Sequence, residues 1–133
     1  MHHLVYTSTA SDPLTEAELQ RQLSRWRVNN ARLGVTGVLL YSEGSILQVL
    51  EGAAEHLHAL FATIAADVRH RSVTKLADGP VPGRVFAGWS MRFRSVSTTD
   101  FTRFVPQREA AIPSHASELV PLLEAFMAQE PLA

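Results

Sequence analysis

The segment that most constrains the fold is 45–50, SILQVL, because it is apolar on both faces of an extended strand. A strand buried on both sides lies at the centre of a sheet rather than at its edge. Ile46, Gln48 and Leu50 share one face, since side chains alternate along a strand. Gln48 is therefore predicted to be a buried amide that needs hydrogen-bond partners.

The segments around this strand alternate between β and α patterns. Five strands are expected, at 3–8, 35–41, 45–50, 73–79 and 86–94. The second and third form a hairpin through Glu43-Gly44. The first helix is expected from a capping box at Thr15 to Leu33, where Gly34 ends it. The second helix is expected from Ala53 to about His70.

The order β-α-β-β-α-β-β predicts a ferredoxin-like α+β fold, in which both helices cover one face of a mixed sheet. We expect residues 1–95 to form the domain and 96–133 a helical extension of the same compact unit. A short helix is expected near Thr99-Asp100, and an amphipathic one at 114–129. The latter could cap the bare sheet face or form an interface with a second subunit, and capping is favoured.

Composition excludes several classes of site. The chain has 133 residues, no cysteine and a net charge of −1. Disulfides, cysteine-ligated metals and thiol nucleophiles are therefore excluded, and no overall charge favours nucleic acid or an anionic membrane. No apolar run is long enough for a membrane helix, and the first residues are unlike a secretion signal. We expect a cytoplasmic protein.

Three polar residues fall where core residues are expected. Asn30 lies in the apolar stripe of the first helix, and Tyr6 shares a strand face with Leu4 and Ser8. If the first strand pairs with the third, Tyr6 and Gln48 can meet. These groups indicate either polar residues satisfied within the core or a shared polar ligand.

No catalytic motif accompanies them. His56 and His58 point in nearly opposite directions on a helix, so they cannot hold one metal ion and are expected to be exposed. Asp67 is either an exposed acid at a helix end or an acceptor for a ligand N–H. Phe93, in the fifth strand, is interpreted as a core residue.

Five segments, in order, resemble the BLUF family of blue-light sensors that use FAD. They are LVYTS (4–8), NNARLGVTGVLLY (29–41), LQVLEG (47–52), DVRH (67–70) and FAGWSM (86–91). The resemblance implies that Tyr6 is the photoactive tyrosine and Gln48 its partner. The flavin-binding residues that it implies are Tyr6, Ser8, Asn29, Asn30, Gln48, Asp67, Arg69 and His70. Trp89 and Met91 match the family's signalling residues, while Thr63 stands where some members have an arginine.

The resemblance implies a photoreceptor rather than an enzyme. Light would drive electron and proton transfer between Tyr6, Gln48 and non-covalently bound FAD. The changed hydrogen bonds would signal through the fifth strand and the C-terminal helices to a second copy or a separate partner protein. The absence of cysteine excludes a cysteinyl–flavin adduct. The alternatives are a ferredoxin-like binding protein or small enzyme without photoactivity, and a relative that binds flavin weakly and acts as an interaction module.

Overall fold

The computed structural model describes residues 1–10, 16–67, 70–88 and 91–102. The strands are β1 (His2–Ala10), β2 (Thr36–Ser42), β3 (Ser45–Gly52), β4 (His70–Pro80) and β5 (Arg92–Ser95). The helices are α1 (Glu16–Leu33), α2 (Ala54–Ala66) and α3 (Thr98–Thr102). The order of these elements is the predicted one.

The five strands form one mixed sheet in the order β4-β1-β3-β2-β5. β3 lies between β1 and β2 and is antiparallel to both, whereas β2 and β5 are parallel. The central position of β3 follows from its two apolar faces. The topology confirms the ferredoxin-like α+β fold.

A tight turn at Glu43 and Gly44 joins β2 to β3. Their φ angles are 46° and 89°, both in the left-handed region. A two-residue hairpin turn of this kind matches the natural twist of the strands, and glycine adopts it without steric cost. The turn fixes the register in which Leu39 pairs with Gln48.

Both long helices pack on the same side of the sheet. Leu19 and Leu23, four residues apart on α1, and Leu57 of α2 are fully buried there. The sheet residues that they cover include Leu4, Tyr6, Leu39, Ile46 and Leu50. Phe93 is partly buried against the same core, which confirms its interpretation as a core residue.

The outer side of the sheet carries a second apolar cluster. Its strand residues are Val5, Val38, Leu40, Leu47, Val49 and Leu76. Phe86, from the connection between β4 and β5, and Phe101 of α3 complete this cluster and are buried with it. The face expected to be bare is thus partly covered by residues of 81–102.

One helix is shorter than predicted. α2 was expected to reach about His70, but it ends at Ala66, and Asp67 is extended with φ −76° and ψ 124°. His70 instead begins β4, where it pairs with Ala10 of β1. The apolar periodicity of the helix runs on past Ala66, but pairing with β1 takes the chain into the sheet.

The last strand is also shorter than predicted. It was expected at 86–94, but β5 begins at Arg92. Glu51, which is buried, accepts hydrogen bonds from the backbone N–H groups of Val85 at 2.6 Å and Phe86 at 2.9 Å. These bonds hold Val85 and Phe86 outside the ladder, and the sequence pattern does not reveal them.

Arg84 adds further hydrogen bonds between the segment before β5 and the sheet. Its guanidinium donates to the Thr36 hydroxyl at 2.8 Å, to the Glu51 backbone oxygen at 3.1 Å and to the Gly34 oxygen at 2.6 Å. Thr36 in turn donates to Glu51 Oε1 at 3.0 Å. The connection between β4 and β5 is therefore tied to β2 and β3 by a charge-assisted network.

Some expectations lie outside the described residues. They are the Thr15 cap, residues Arg69 and Trp89, and the helix at 114–129. Neither α1 nor any other helix in the described part of the chain has the length and apolar character needed to cross a bilayer.

The hydrogen bonds that Glu51 accepts from Val85 and Phe86 predict a large loss of stability when this carboxylate is replaced by an amide. Glu51→Gln keeps one acceptor oxygen but turns an NH2 group toward one of the two backbone donors, so the free energy of unfolding should fall by about 1.5–3 kcal/mol. Urea denaturation measures this loss. Glu55→Gln, at an exposed position in the first turn of α2, is the control and should change stability by less than about 1 kcal/mol. Equal losses in both variants would contradict the assigned role.

Candidate functional site

A cleft of about 170 Å³ opens between α1 and α2 above the central strand. The surface of its walls is mostly apolar, and its polar groups are three side-chain amides and the Thr63 hydroxyl. The lining residues are Trp26, Asn29 and Asn30 of α1, Gln48 and Leu50 of β3, and Leu60, Thr63 and Ile64 of α2. Apolar walls with a few fixed hydrogen-bonding groups are typical of a site for a small molecule or cofactor.

Tyr6 and Gln48 meet beside this cleft. They are direct partners in the antiparallel register of β1 and β3, on the side that faces the helices. The Tyr6 hydroxyl donates a hydrogen bond to Gln48 Oε1, and both side chains are buried. The meeting predicted from the topology is thus observed.

The NH2 group of the Gln48 amide forms a hydrogen bond with Met91. Its Nε2 donates to Met91 Sδ at 3.3 Å. A thioether can only accept, and only weakly, so it requires the N–H end of the amide on its side. The result is a directed chain, from the Tyr6 hydroxyl through the Gln48 amide to the Met91 sulfur.

Met91 connects this chain to α1. It is buried and lies just before β5, and its backbone oxygen accepts a hydrogen bond from Arg27 Nε at 2.9 Å. Arg27 belongs to the helix that forms one wall of the cleft. Sequence reasoning missed this link, because no local pattern relates residues so far apart in the chain.

The surroundings of Tyr6 keep its phenol protonated. Burial raises the pKa of Tyr6 well above its usual value near 10. Its ring packs edge-on against Phe61 of α2, with 5.5 Å between ring centroids. The hydroxyl is therefore a neutral donor at physiological pH and is held in a fixed direction.

The two asparagines of α1 differ in exposure. Asn30 is buried, as its place in the apolar stripe predicts, and lines the cleft. Asn29 is only partly buried and accepts a hydrogen bond from Arg32 Nη2 at 2.7 Å. Both can face a ligand in the cleft, but Asn30 is the more enclosed.

The remaining predicted residues are less closely tied to the cleft. Ser8 is buried on β1, and Asp67 is half-buried just after α2, but neither belongs to the cleft lining. The backbone of His70 begins β4. Arg69 and Trp89 lie outside the described residues, so their predicted roles stay predictions.

Thr63, which the resemblance matches to an arginine of some family members, does line the cleft. Its side chain is exposed, and its hydroxyl donates to the Ala59 oxygen of its own helix at 3.1 Å. The cleft thus has an uncharged rim at this position.

Comparisons with known proteins agree on one family. The match to the family described as sensors of blue light using FAD covers residues 1–92. Photoactivated adenylate cyclase subunit alpha of Euglena gracilis is 38% identical over 94 residues, which are 69% of this chain and 9% of that protein. The chain therefore spans only a small part of the length of this relative.

Solved structures support the same fold. BlrB, a BLUF protein in its dark state, has 30% identity and a TM-score of 0.76, with 94% of this chain and 96% of BlrB covered. Klebsiella pneumoniae BlrP1 with FMN and cyclic diGMP has 29% identity and a TM-score of 0.68, covering 96% of this chain and 34% of BlrP1.

These findings confirm the predicted family of blue-light sensors. The cleft, with apolar walls and amide groups at its base, fits the flavin that BLUF domains bind. From its fold, its cleft and its match over residues 1–92, the chain belongs to the BLUF family of flavin-binding blue-light sensors.

Proposed function

We propose that the chain is a blue-light photoreceptor that binds FAD non-covalently in the cleft between α1 and α2. The observation that carries the proposal is the hydrogen-bond chain from Tyr6 through Gln48 to Met91 beside that cleft. The family description supports FAD, whereas the BlrP1 structure contains FMN. The chain itself supplies a proton donor, a reorientable amide and a weak acceptor, all in contact.

The residues that would hold the flavin divide into walls and edge contacts. Trp26, Leu60 and Ile64 would enclose the ring from the two helices. The amides of Asn30 and Gln48 would bond its polar edge, with Asn29 nearby. By the resemblance alone, Ser8, Asp67, Arg69 and His70 complete the proposed set. The bound flavin supplies absorption of blue light and, when excited, a strong electron acceptor.

In the proposed photochemistry, Tyr6 gives up an electron and a proton. A phenol that loses an electron becomes strongly acidic, and the Tyr6 proton can then move along its existing hydrogen bond to Gln48 Oε1. When the electron and the proton have both returned, the Tyr6 phenol is restored and the amide can be left rotated or as its imidic tautomer. Both outcomes change which atom of Gln48 donates and which accepts.

The changed amide would disturb Met91. A rotated Gln48 would turn Oε1 toward Met91 Sδ, and two acceptors in contact cannot form a hydrogen bond. Met91 would then shift, and with it the backbone oxygen that holds Arg27. Trp89 remains a second proposed signalling residue, on the resemblance alone.

The disturbance has a direct route to the end of the described chain. Met91 precedes β5, which leads to α3, and Val96 N–H donates to the Tyr41 oxygen at 2.9 Å. Thr98 Oγ1 of α3 donates to Glu43 Oε2 at 3.0 Å. BLUF domains act on fused or separate effectors, and we propose that the extension at 96–133 passes the signal to a second copy or a separate partner protein.

The proposal predicts that removal of one hydroxyl abolishes the photoresponse. Tyr6→Phe should keep bound flavin and its yellow colour but lose the whole light-induced red shift of the absorption spectrum, because the donor to Gln48 is gone. Tyr41→Phe is the matched control, since the chain has only two tyrosines, and should keep the shift. Steady-state absorption before and after blue illumination measures both.

Gln48→Leu removes the amide and should also leave a yellow protein without the red shift. A normal shift in either Tyr6→Phe or Gln48→Leu contradicts the proposed photochemistry. A wild-type protein that remains colourless with added FAD contradicts flavin binding itself and favours the non-photoactive alternative.

Cofactor retention should depend on the buried asparagine. Asn30→Ala is expected to weaken flavin binding by about tenfold, the equivalent of one buried hydrogen bond near 1.4 kcal/mol. Asn29→Ala, at the more exposed neighbour, should weaken it by less. Fluorescence titration of the flavin-depleted protein compares the two, and an equal or reversed order would contradict the assigned contacts.

Heating the purified protein releases its flavin, and chromatography then identifies the flavin as FAD or FMN. FAD is the expected product from protein purified from cells that contain both flavins. Recovery of FMN alone would contradict FAD as the cofactor while leaving the Tyr6 and Gln48 proposal intact.

A further inference from the structure

Outside the flavin cleft, three side chains that commonly bind metals meet at one end of the helix-covered face. His2 and Leu4 share that face of β1, and Leu4 pairs with Asp78 of β4. His58, in the first half of α2, lies above this pair of strands. Three separate elements thus bring two imidazoles and one carboxylate together.

The ligand-type atoms of these three side chains lie close to the separations found around a bound metal ion. His2 Nε2 lies 2.5 Å from Asp78 Oδ1, and His58 Nε2 lies 2.9 Å from the same oxygen. The three ligand-type atoms are all within 4.8 Å of one another. Ligand atoms of a tetrahedral zinc ion, with bonds of about 2.0–2.1 Å, are about 3.3 Å apart. Side-chain movements of roughly an ångström would therefore admit a metal ion.

Binding of a cation requires a free lone pair on each Nε2. A histidine that donates to Asp78 through Nε2–H would carry that hydrogen on Nδ1 instead, which leaves a neutral imidazole as the ligand.

A further contact would orient the carboxylate. Lys75 Nζ donates to Asp78 Oδ2 at 2.8 Å, while Oδ1 lies nearest to both histidines, and His58 Nε2 is also 3.1 Å from Oδ2. Hydrogen bonds of this kind hold a ligand in its binding direction. The His58 side chain is 51% exposed, so solvent can reach the site and fill a fourth position.

We propose that His2, His58 and Asp78 bind a divalent transition-metal ion of the Zn²⁺ class. Two imidazoles and one carboxylate suit Zn²⁺, Co²⁺ or Ni²⁺ and do not suit Mg²⁺ or Ca²⁺, which prefer oxygen ligands. The ion would join the first half of α2 to β1 and β4. Leu60 and Ile64, in the second half of the same helix, line the flavin cleft.

The sequence-based expectation of no metal site considered only His56 and His58 as a pair. That pair does not meet on one metal, but His58 finds its partners on two strands that are distant in sequence. Only the tertiary structure reveals this grouping.

Titration of the full chain with zinc tests the proposal. Flavin-loaded protein without a histidine tag is freed of metals by chelation, and Zn²⁺ binding is followed by calorimetry with the melting temperature as a second readout. We expect one saturable site and a rise in melting temperature, with no response to Mg²⁺. His58→Gln and Asp78→Asn should each weaken binding by about tenfold or more.

The matched control is His56→Gln, on the same helix but outside the group. It should bind Zn²⁺ as tightly as the wild type. The proposal is overturned if no saturable binding occurs, if His58→Gln binds as tightly as the wild type, or if His56→Gln weakens binding equally. Because the His58 side chain is half exposed, its substitution should leave the fold and the flavin spectrum unchanged. The absorption spectra of His58→Gln and His56→Gln check this.

Discussion

The hydrogen bond between Tyr6 and Gln48 depends on the register of two neighbouring strands. Tyr6 faces Gln48 because β1 and β3 pair antiparallel with those residues opposite each other. A slip of one residue would turn either side chain to the other face of the sheet. The two apolar faces of β3, each buried in its own cluster, hold that register, so the site depends on the architecture of the sheet centre.

Burial in the sheet centre means that the Gln48 amide must have hydrogen-bond partners to be stable. An unsatisfied buried amide costs about 1–3 kcal/mol, and Gln48 avoids this cost with a strong partner at one end and a weak one at the other. Because the Met91 sulfur is a poor acceptor, little would be lost in the proposed reorientation of the amide. Arg27 and β5 both adjoin Met91, so such a change would reach a helix and a strand.

Much of this arrangement is predictable from the sequence. The apolar pattern of 45–50 predicts a central strand and a buried Gln48, and the order of elements predicts that Tyr6 lies beside it. The end of α2, the late start of β5 and the bond from Arg27 to Met91 are not predictable locally. They depend on contacts between residues distant in sequence, such as the hydrogen bonds that Glu51 accepts from Val85 and Phe86.

The central claim is that light changes the side-chain amide of Gln48. Infrared difference spectroscopy, light minus dark, on protein carrying glutamine ¹³C-labelled at the side-chain carbonyl tests it most directly. The account predicts a carbonyl band that moves with the label and is absent from the difference spectrum of Gln48→Leu. A light-minus-dark spectrum unaffected by the label, in a protein that still shows the red shift, would contradict it.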